Sequence, residues 1–325
     1  MKAIVCRAYG PPESLDYADL PDLTPGPGEI VLATKACAVN FPDTLIIQGK
    51  YQYQPPLPFT PGTDVAGVVK AVGDGVTSVK VGDRVLGLVM HGGFAEEVVM
   101  PAASVFPIPD SADFDSAAAI ELTYGTVYYA LGTRARLQAG ETLLALGAAG
   151  GIGMAAIDVG KAIGARVIAA ASSAAKVAAC LEAGADAGID YSSEDLRARI
   201  KELTAGKGVD VALDPVGDKL AEPAVRSMAW DGRYLVVGFA GGEIPRIPLN
   251  LPLLKSCSII GVYYGGLLNH DPAQAMRNQR AIIGLLAAGR IKPRIGATYP
   301  LRDAAKALED IANRRAIGKV VLTME

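Results

Sequence analysis

Residues 143–153 read Leu-Leu-Ala-Leu-Gly-Ala-Ala-Gly-Gly-Ile-Gly, an apolar run that enters a glycine-rich turn and opens a helical pattern. Set against GxGxxG, the first glycine is replaced by Ala148, while Gly150 and Gly153 match. A glycine at 150 lets backbone approach a pyrophosphate, and one at 153 lets the helix lie close on the strand. The N–H groups at Gly151, Ile152 and Gly153, with the positive end of the helix dipole, would face the phosphates. Alone the motif is weak. Between a strand and a helix it points to a dinucleotide site. About 20 residues on, an acidic residue ordinarily holds the ribose hydroxyls of NAD. Here the next apolar run, 166–171, leads into Ser172, Ser173 and Lys176. Hydroxyls and an ammonium suit a 2′-phosphate, which a carboxylate would repel, so the cofactor reads as NADPH. Ser173 would equally suit a helix N-cap. Tyr191, after the third run, is either a lid over the same pocket or a half-buried surface tyrosine.

Elements that would position these residues show in the rhythm of the chain. Residues 1–120 hold short apolar runs such as 29–33, 64–72 and 84–89, cut by Pro/Gly-rich turns, which argues for a compact, mostly β domain. Beyond 120, apolar runs at 142–146, 166–171, 187–190, 209–214, 233–238 and 256–262 alternate with helical patterns near 152–163, 174–183, 193–204 and 217–229. That alternation is the mark of a doubly wound parallel sheet, an α/β fold. Helical patterns at about 273–288 and 303–314 precede a last run at 319–324, which is expected to return to the first domain. The expected division is 1–122 with 265–325 for the mostly β unit, and 123–264 for the dinucleotide-binding unit. Ligands in such sheets sit at carboxyl strand ends, so Gly238, Phe239 and Val262 should edge the cofactor. Asp214, ending the fourth run, reads as a turn-former.

Composition narrows the function classes. The chain has 325 residues, half of them hydrophobic, with a formal net charge of −3 and no basic block. Nucleic acid is therefore not an expected partner. No stretch reaches the ~20 apolar residues of a membrane span, and the N-terminal run is too short for a signal peptide, so the expectation is a cytoplasmic protein. Cys6, Cys37, Cys180 and Cys257 are scattered without CxxC spacing, which favours ordinary thiols over a metal site or disulfides. His91 and His270 stand in no ligand pattern and read as surface or loop residues.

Across its whole length the chain resembles the zinc-free medium-chain dehydrogenases/reductases, close to the zeta-crystallin-like NADPH:quinone oxidoreductases. Besides the turn at 147–153, the resemblance rests on Asn40-Phe41-Pro42-Asp43 with Gly49-Lys50-Tyr51, and on Pro61-Gly62-Thr63-Asp64-Val65-Ala66-Gly67. It rests also on Val81-Gly82-Asp83-Arg84-Val85, on 123–131, on Asp214-Pro215-Val216-Gly217 and on Gly318-Lys319-Val320-Val321. It implies a GroES-like catalytic domain joined to a Rossmann domain. Zinc-dependent relatives place ligands where this chain has Asn40, Thr63 and Asp64, and the cysteine lobe of a structural zinc is missing. The resemblance therefore implies no metal and substrates that accept hydride without a Lewis acid, namely quinones or other conjugated carbonyl compounds. It makes Asn40, Asp43 and Tyr51 the candidate catalytic residues, with a turn amide, a loop carboxylate and a packing tyrosine as their plainer roles. It also puts Thr126 on the nicotinamide side of the cofactor.

Two other functions stay open. One is enoyl thioester reduction, to which Lys50, Lys255, Arg277 and Arg280 could contribute charge. The other is an NADPH-binding structural or regulatory protein of the crystallin type. The resemblance, together with an exposed sixth strand, implies a homodimer formed by pairing edge strands across a two-fold axis.

Overall fold

The computed structural model describes residues 1–324, and its chain divides into two compact units. The first unit is Met1–Leu122 with the segment from Ile295 onward, and the second is Thr123–Arg294. The second division lies thirty residues beyond the sequence-based boundary at 264/265. The reason is the helix Pro272–Ala287, which packs on the helices Gly125–Tyr128 and Tyr264–His270 of the second unit.

In the first unit a sheet runs in the order Ile295–Pro300, Lys319–Thr323, Glu29–Val39, Asp64–Val72, Arg84–Leu88, Val105–Pro107. Glu97–Pro101 also pairs with Glu29–Val39, and Lys2–Val5 forms a separate pair with Asp16–Asp19. The last strand does return to the first unit. It is antiparallel to Glu29–Val39 with Val320 opposite Val39, which brings Lys319 to the level of Asn40. Strand Ile295–Pro300, parallel to Lys319–Thr323, was not foreseen from the sequence. The core between these strands and the helices Phe41–Ile46 and Ala304–Ala312 is built by Ile30, Leu32, Val39, Val65, Phe94, Leu308 and Val320.

In the second unit six strands are all parallel, in the order Ala187–Asp190, Arg166–Ala171, Thr142–Leu146, Val209–Asp214, Met228–Val236, Ser258–Gly261. In sheet order this is 3-2-1-4-5-6, the doubly wound dinucleotide-binding topology. Its central strands are buried along nearly their whole length, which is why each reads as an unbroken apolar run. The sixth strand is an exposed edge, and among the described residues its only strand partner is Met228–Val236. All four cysteines are buried and unpaired. Among the described residues no helix is long and apolar enough to cross a membrane.

Candidate functional site

In the second unit, strand Thr142–Leu146 ends in Gly147, whose φ of 58° places it in the left-handed region. The left-handed turn falls one residue before the motif position that Ala148 occupies, so Ala148 causes no strain and is fully buried. Ala148 N–H donates to Ala170 O at 3.0 Å, which ties the turn to the neighbouring strand. Helix Gly151–Ile163 follows with Gly150 as an extended N-cap, no side-chain cap and no acidic residue in its first turn. Its hydrogen-bond ladder begins with Met154 N–H donating to Gly150 O at 2.8 Å. The N–H groups of Gly151, Ile152 and Gly153 precede that bond and form the donor end of the helix. A Cβ built on Gly150 would meet only Gly147 O, at 3.5 Å, whereas one on Gly153 would collide with the backbone of Ala148 at 2.3–2.5 Å. Gly153 therefore sets helix packing, and Gly150 keeps the turn's surface bare.

At the end of strand Arg166–Ala171, Lys176 Nζ lies 3.2 Å from Ser172 Oγ. Ser173 caps helix Ala174–Glu182, its Oγ accepting from Lys176 N–H at 3.3 Å. Capping uses the oxygen as an acceptor and leaves the hydroxyl hydrogen to donate. Tyr191 N–H donates to Ala171 O at 3.0 Å, which sets the tyrosine beside the same strand end, half-buried. Gly238 follows the fifth strand, its N–H donating to Asp214 O at 3.3 Å. Val262 follows the sixth, its N–H donating to Val236 O at 2.9 Å. Phe239 is 37% exposed, and Thr126 is buried on helix Gly125–Tyr128. Asp214 accepts from the N–H groups of Val216 and Gly217 at 2.7 and 2.8 Å and from the Tyr234 hydroxyl, the turn-forming role its place in the sequence suggests.

The first unit gathers a buried polar cluster around Asn40. Asn40 Nδ2 donates to Asp64 Oδ2 at 2.9 Å, with Ala38 O and Thr63 Oγ1 at 3.3 and 3.4 Å. Its Oδ1 accepts from Lys319 Nζ at 2.5 Å, and Val39 O lies 3.3 Å from the same ammonium. Asn40 is 6% exposed and both amide hydrogens have acceptors inside the unit. Asp43 is fully buried as well, its Oδ2 accepting from Asn40 N–H at 2.7 Å to close the N-terminus of helix Phe41–Ile46. Tyr51 alone of the three candidates is half-buried rather than buried, packed on the edge of the core.

Charge in this cluster is strongly constrained. Burial pushes the Asp43 carboxyl up to about 7 against the pull of Asn40 N–H, and the neighbouring Asp64 adds to the rise. Burial also lifts Asp64 to about 6, opposed by the Lys319 charge, the Asn40 amide and Leu122 N–H. Burial lowers Lys319, and the two carboxylates oppose that shift. Lys319 was quoted only as part of a sequence motif. Its role shows in the strand register, which pairs residues from the two ends of the chain, such as Val320 with Val39, and leaves no local signal.

Residues 26–110 match the alcohol dehydrogenase GroES-like domain and residues 151–280 the zinc-binding dehydrogenase domain. A quinone oxidoreductase-like protein 2 homolog of Nematostella vectensis is 40% identical over 99% of this chain and 88% of that relative. Quinone oxidoreductase-like protein 2 of Rattus norvegicus is 38% identical over 100% and 92%. The Escherichia coli quinone oxidoreductase, whose crystal structure is a complex with NADPH, superposes with a TM-score of 0.90 at 32% identity over 99% of this chain and 100% of that one. Relatives matched at this identity over nearly their full length, with a GroES-like unit and a Rossmann-type sheet in the order found here, place the chain in the quinone oxidoreductase family of the medium-chain dehydrogenases/reductases.

Proposed function

We propose that the protein is an NADPH-dependent oxidoreductase that reduces quinones or other conjugated carbonyl compounds without zinc. The observation that carries the zinc-free half is the Asn40 cluster. The residues standing where zinc relatives place ligands are an amide, a hydroxyl and a carboxylate bonded to one another, and a buried ammonium is bonded to the amide. Zinc is held by converging thiolate, imidazole or carboxylate groups. This donor set does not fit, and a lysine charge at its centre repels a dication. Among the described residues no group of three or more His, Cys, Asp or Glu could hold a metal.

The second unit fits NADPH. Gly150 and the N–H groups of Gly151, Ile152 and Gly153 would hold the pyrophosphate, for which the uncapped, acid-free helix end is suited. Ser172, Ser173 and Lys176 would hold the 2′-phosphate, with Tyr191 beside them. Thr126, Gly238, Phe239 and Val262 would line the nicotinamide half. Bound NADPH would supply the hydride, and two similar structures are NADPH complexes. Tyr51 would donate to the substrate oxygen on which charge develops. Asn40 and Asp43 act one step back, fixing the helix and strand ends that carry that loop. On this reading the substrates are already electrophilic, because a hydroxyl donor polarises a carbonyl far less than a metal ion does.

The test follows NADPH oxidation with quinones and enones beside zinc analysis of the purified protein. Turnover with well under one zinc per chain is expected, and stoichiometric zinc with loss of activity on chelation overturns the reading. For the cofactor, Lys176→Ala should raise the Kd for NADPH roughly tenfold or more, the scale of one charged hydrogen bond, and leave NADH nearly unchanged. Equal affinities of the wild type for both cofactors would remove the assignment.

We also propose a homodimer through the sixth strand. Among the described residues its outer edge has no partner strand, Ile259 on it is 40% exposed, and the preceding segment exposes Leu249, Leu253 and Leu254 at 80%, 78% and 70%. An unprotected edge flanked by apolar side chains is suited to a two-fold copy of itself. Sedimentation should give a dimer for the wild type and a monomer for Leu253→Lys with Ile259→Lys. A wild type that stays monomeric at micromolar concentration refutes it.

A further inference from the structure

Two loops of the first unit meet at a tyrosine and a histidine. Tyr53 Oη lies 2.8 Å from His91 Nδ1, with ring centroids 6.0 Å apart. On another side the imidazole meets Phe59 edge-on, centroids 6.3 Å apart, and Phe59 is a buried core residue. The histidine loop is sewn to residues 60–63. Val89 N–H donates to Thr63 O at 2.9 Å, Gly92 N–H to Thr60 O at 2.7 Å and Gly93 N–H to Gly62 O at 3.0 Å. Thr63 continues to Asn40 through its hydroxyl. The tyrosine loop is pinned by Gln54 Nε2 donating to Gly49 O at 2.9 Å, and it carries Tyr51 two residues before Tyr53. Both side chains are half-buried, so each is held yet reachable. Partial burial raises the Tyr53 phenol and lowers the His91 imidazole, which keeps the pair neutral at neutral pH. A neutral phenol bonded to a neutral imidazole can pass a proton without separating charge. The imidazole accepts at one nitrogen as it releases at the other.

We propose that Tyr53 and His91 form a proton relay that delivers a proton to the substrate oxygen after hydride transfer. The proposal rests on the reductase reading above. The oxyanion of the enolate, or of the hydroquinone monoanion left by hydride addition to a quinone, forms an O–H bond as the Tyr53 O–H bond breaks. The Tyr53 oxygen takes the proton of His91 Nδ1. His91 Nε2 takes a proton from water, leaving hydroxide to the solvent. Tyr53 ends as it began and His91 ends as its other tautomer. Exchange with water resets it, and neither side chain changes oxidation state. Tyr53 is then a catalytic residue, and His91 acts through it.

The relay requires the Nδ1–H tautomer before transfer. The chain has only two histidines, so 15N spectra of histidine-labelled protein, with His91→Gln to assign the signals, report it without cofactor. Wild type should show His91 protonated at Nδ1, and Tyr53→Phe should lose that preference. With a simple enone, Tyr53→Phe and His91→Gln should each lose about 10²-fold in kcat, the lower end for general acid catalysis. The Kd for NADPH should hold, the solvent isotope effect should change, and added imidazole should partly restore His91→Gly. Loss with a quinone should be smaller, because a hydroquinone oxygen is less basic than an enolate. A wild type that reduces the enone while both variants keep its kcat and isotope effect overturns the relay and leaves the reductase standing. So does His91 protonated only at Nε2. A wild type that oxidises NADPH with neither substrate class removes the reductase reading and the relay with it.

Discussion

Lys319→Met should destabilise the protein by roughly 3–5 kcal/mol at pH 8, the scale for removing one partner of a buried charge cluster. The lysine is 4% exposed and bonded to Asn40 Oδ1, and its charge is what opposes burial at Asp64 and Asp43. Without it both carboxyls must stay protonated or ionise uncompensated. The folded pKa values of Asp43 and Asp64, about 7 and about 6, already lie above the ~3.9 of an unfolded aspartate. A folded value raised in this way means stability that is present below pH ~4 and lost as pH rises through the folded pKa. Losing the lysine raises both values further. The deficit of the variant should therefore be smaller near pH 5 and deepen toward pH 8. Thermal melts at the two pH values measure it, and Asp64→Asn added to Lys319→Met should recover much of the loss at pH 8. A Lys319→Met protein as stable as wild type at pH 8 would falsify the compensating role.

Gly153→Ala and Gly150→Ala should fail in opposite ways. A Cβ on Gly153 meets Ala148 Cα at 2.3 Å and its carbonyl oxygen at 2.4 Å. Those are backbone atoms that cannot swing aside, so helix Gly151–Ile163 must shift off the strand turn. Overpacking of this kind costs ~1–3 kcal/mol, which should appear as a lower Tm with no cofactor present, and NADPH affinity should fall with it. Gly150 has an extended backbone and no atom nearer than 3.5 Å to a new Cβ. Gly150→Ala should keep the wild-type Tm and still bind NADPH poorly, because its methyl takes the space reserved for the pyrophosphate. Melting curves of the free proteins and fluorescence titrations with NADPH separate the two. Unchanged NADPH affinity in Gly150→Ala would move the pyrophosphate away from this turn.

Much of the second unit was legible because its chemistry is local. Runs 142–146, 166–171, 187–190 and 209–214 coincide with the strands Thr142–Leu146, Arg166–Ala171, Ala187–Asp190 and Val209–Asp214, and in the three of these that are central, burial on both faces calls for apolar residues. The fifth strand starts earlier than its run, at Met228, because the exposed Trp230-Asp231 corner breaks the apolar pattern. The boundary at 294 was not legible. An amphipathic helix such as Pro272–Ala287 shows an apolar face but not the surface it will cover. The Asn40 cluster was half legible. Residue types at 40, 63 and 64 argued against a metal, but the lysine that balances them comes from the far end of the chain. His91 read as a loop residue, which it is. Its contact with Tyr53 depends on two loop conformations that no periodicity encodes.

The first unit is interrupted in the chain by the whole of the second. During synthesis the six parallel strands all emerge before the sheet of the first unit is complete. The Ala36–Val39 end of Glu29–Val39 must wait without its edge partner until Lys319–Thr323 leaves the ribosome. The same late strand carries the ammonium that Asp43 and Asp64 require. Closure of the fold and neutralisation of its buried acids are thus a single last event. A nascent chain stalled before residue 319 would carry a finished nucleotide fold beside a first unit still open at one edge and uncompensated in charge.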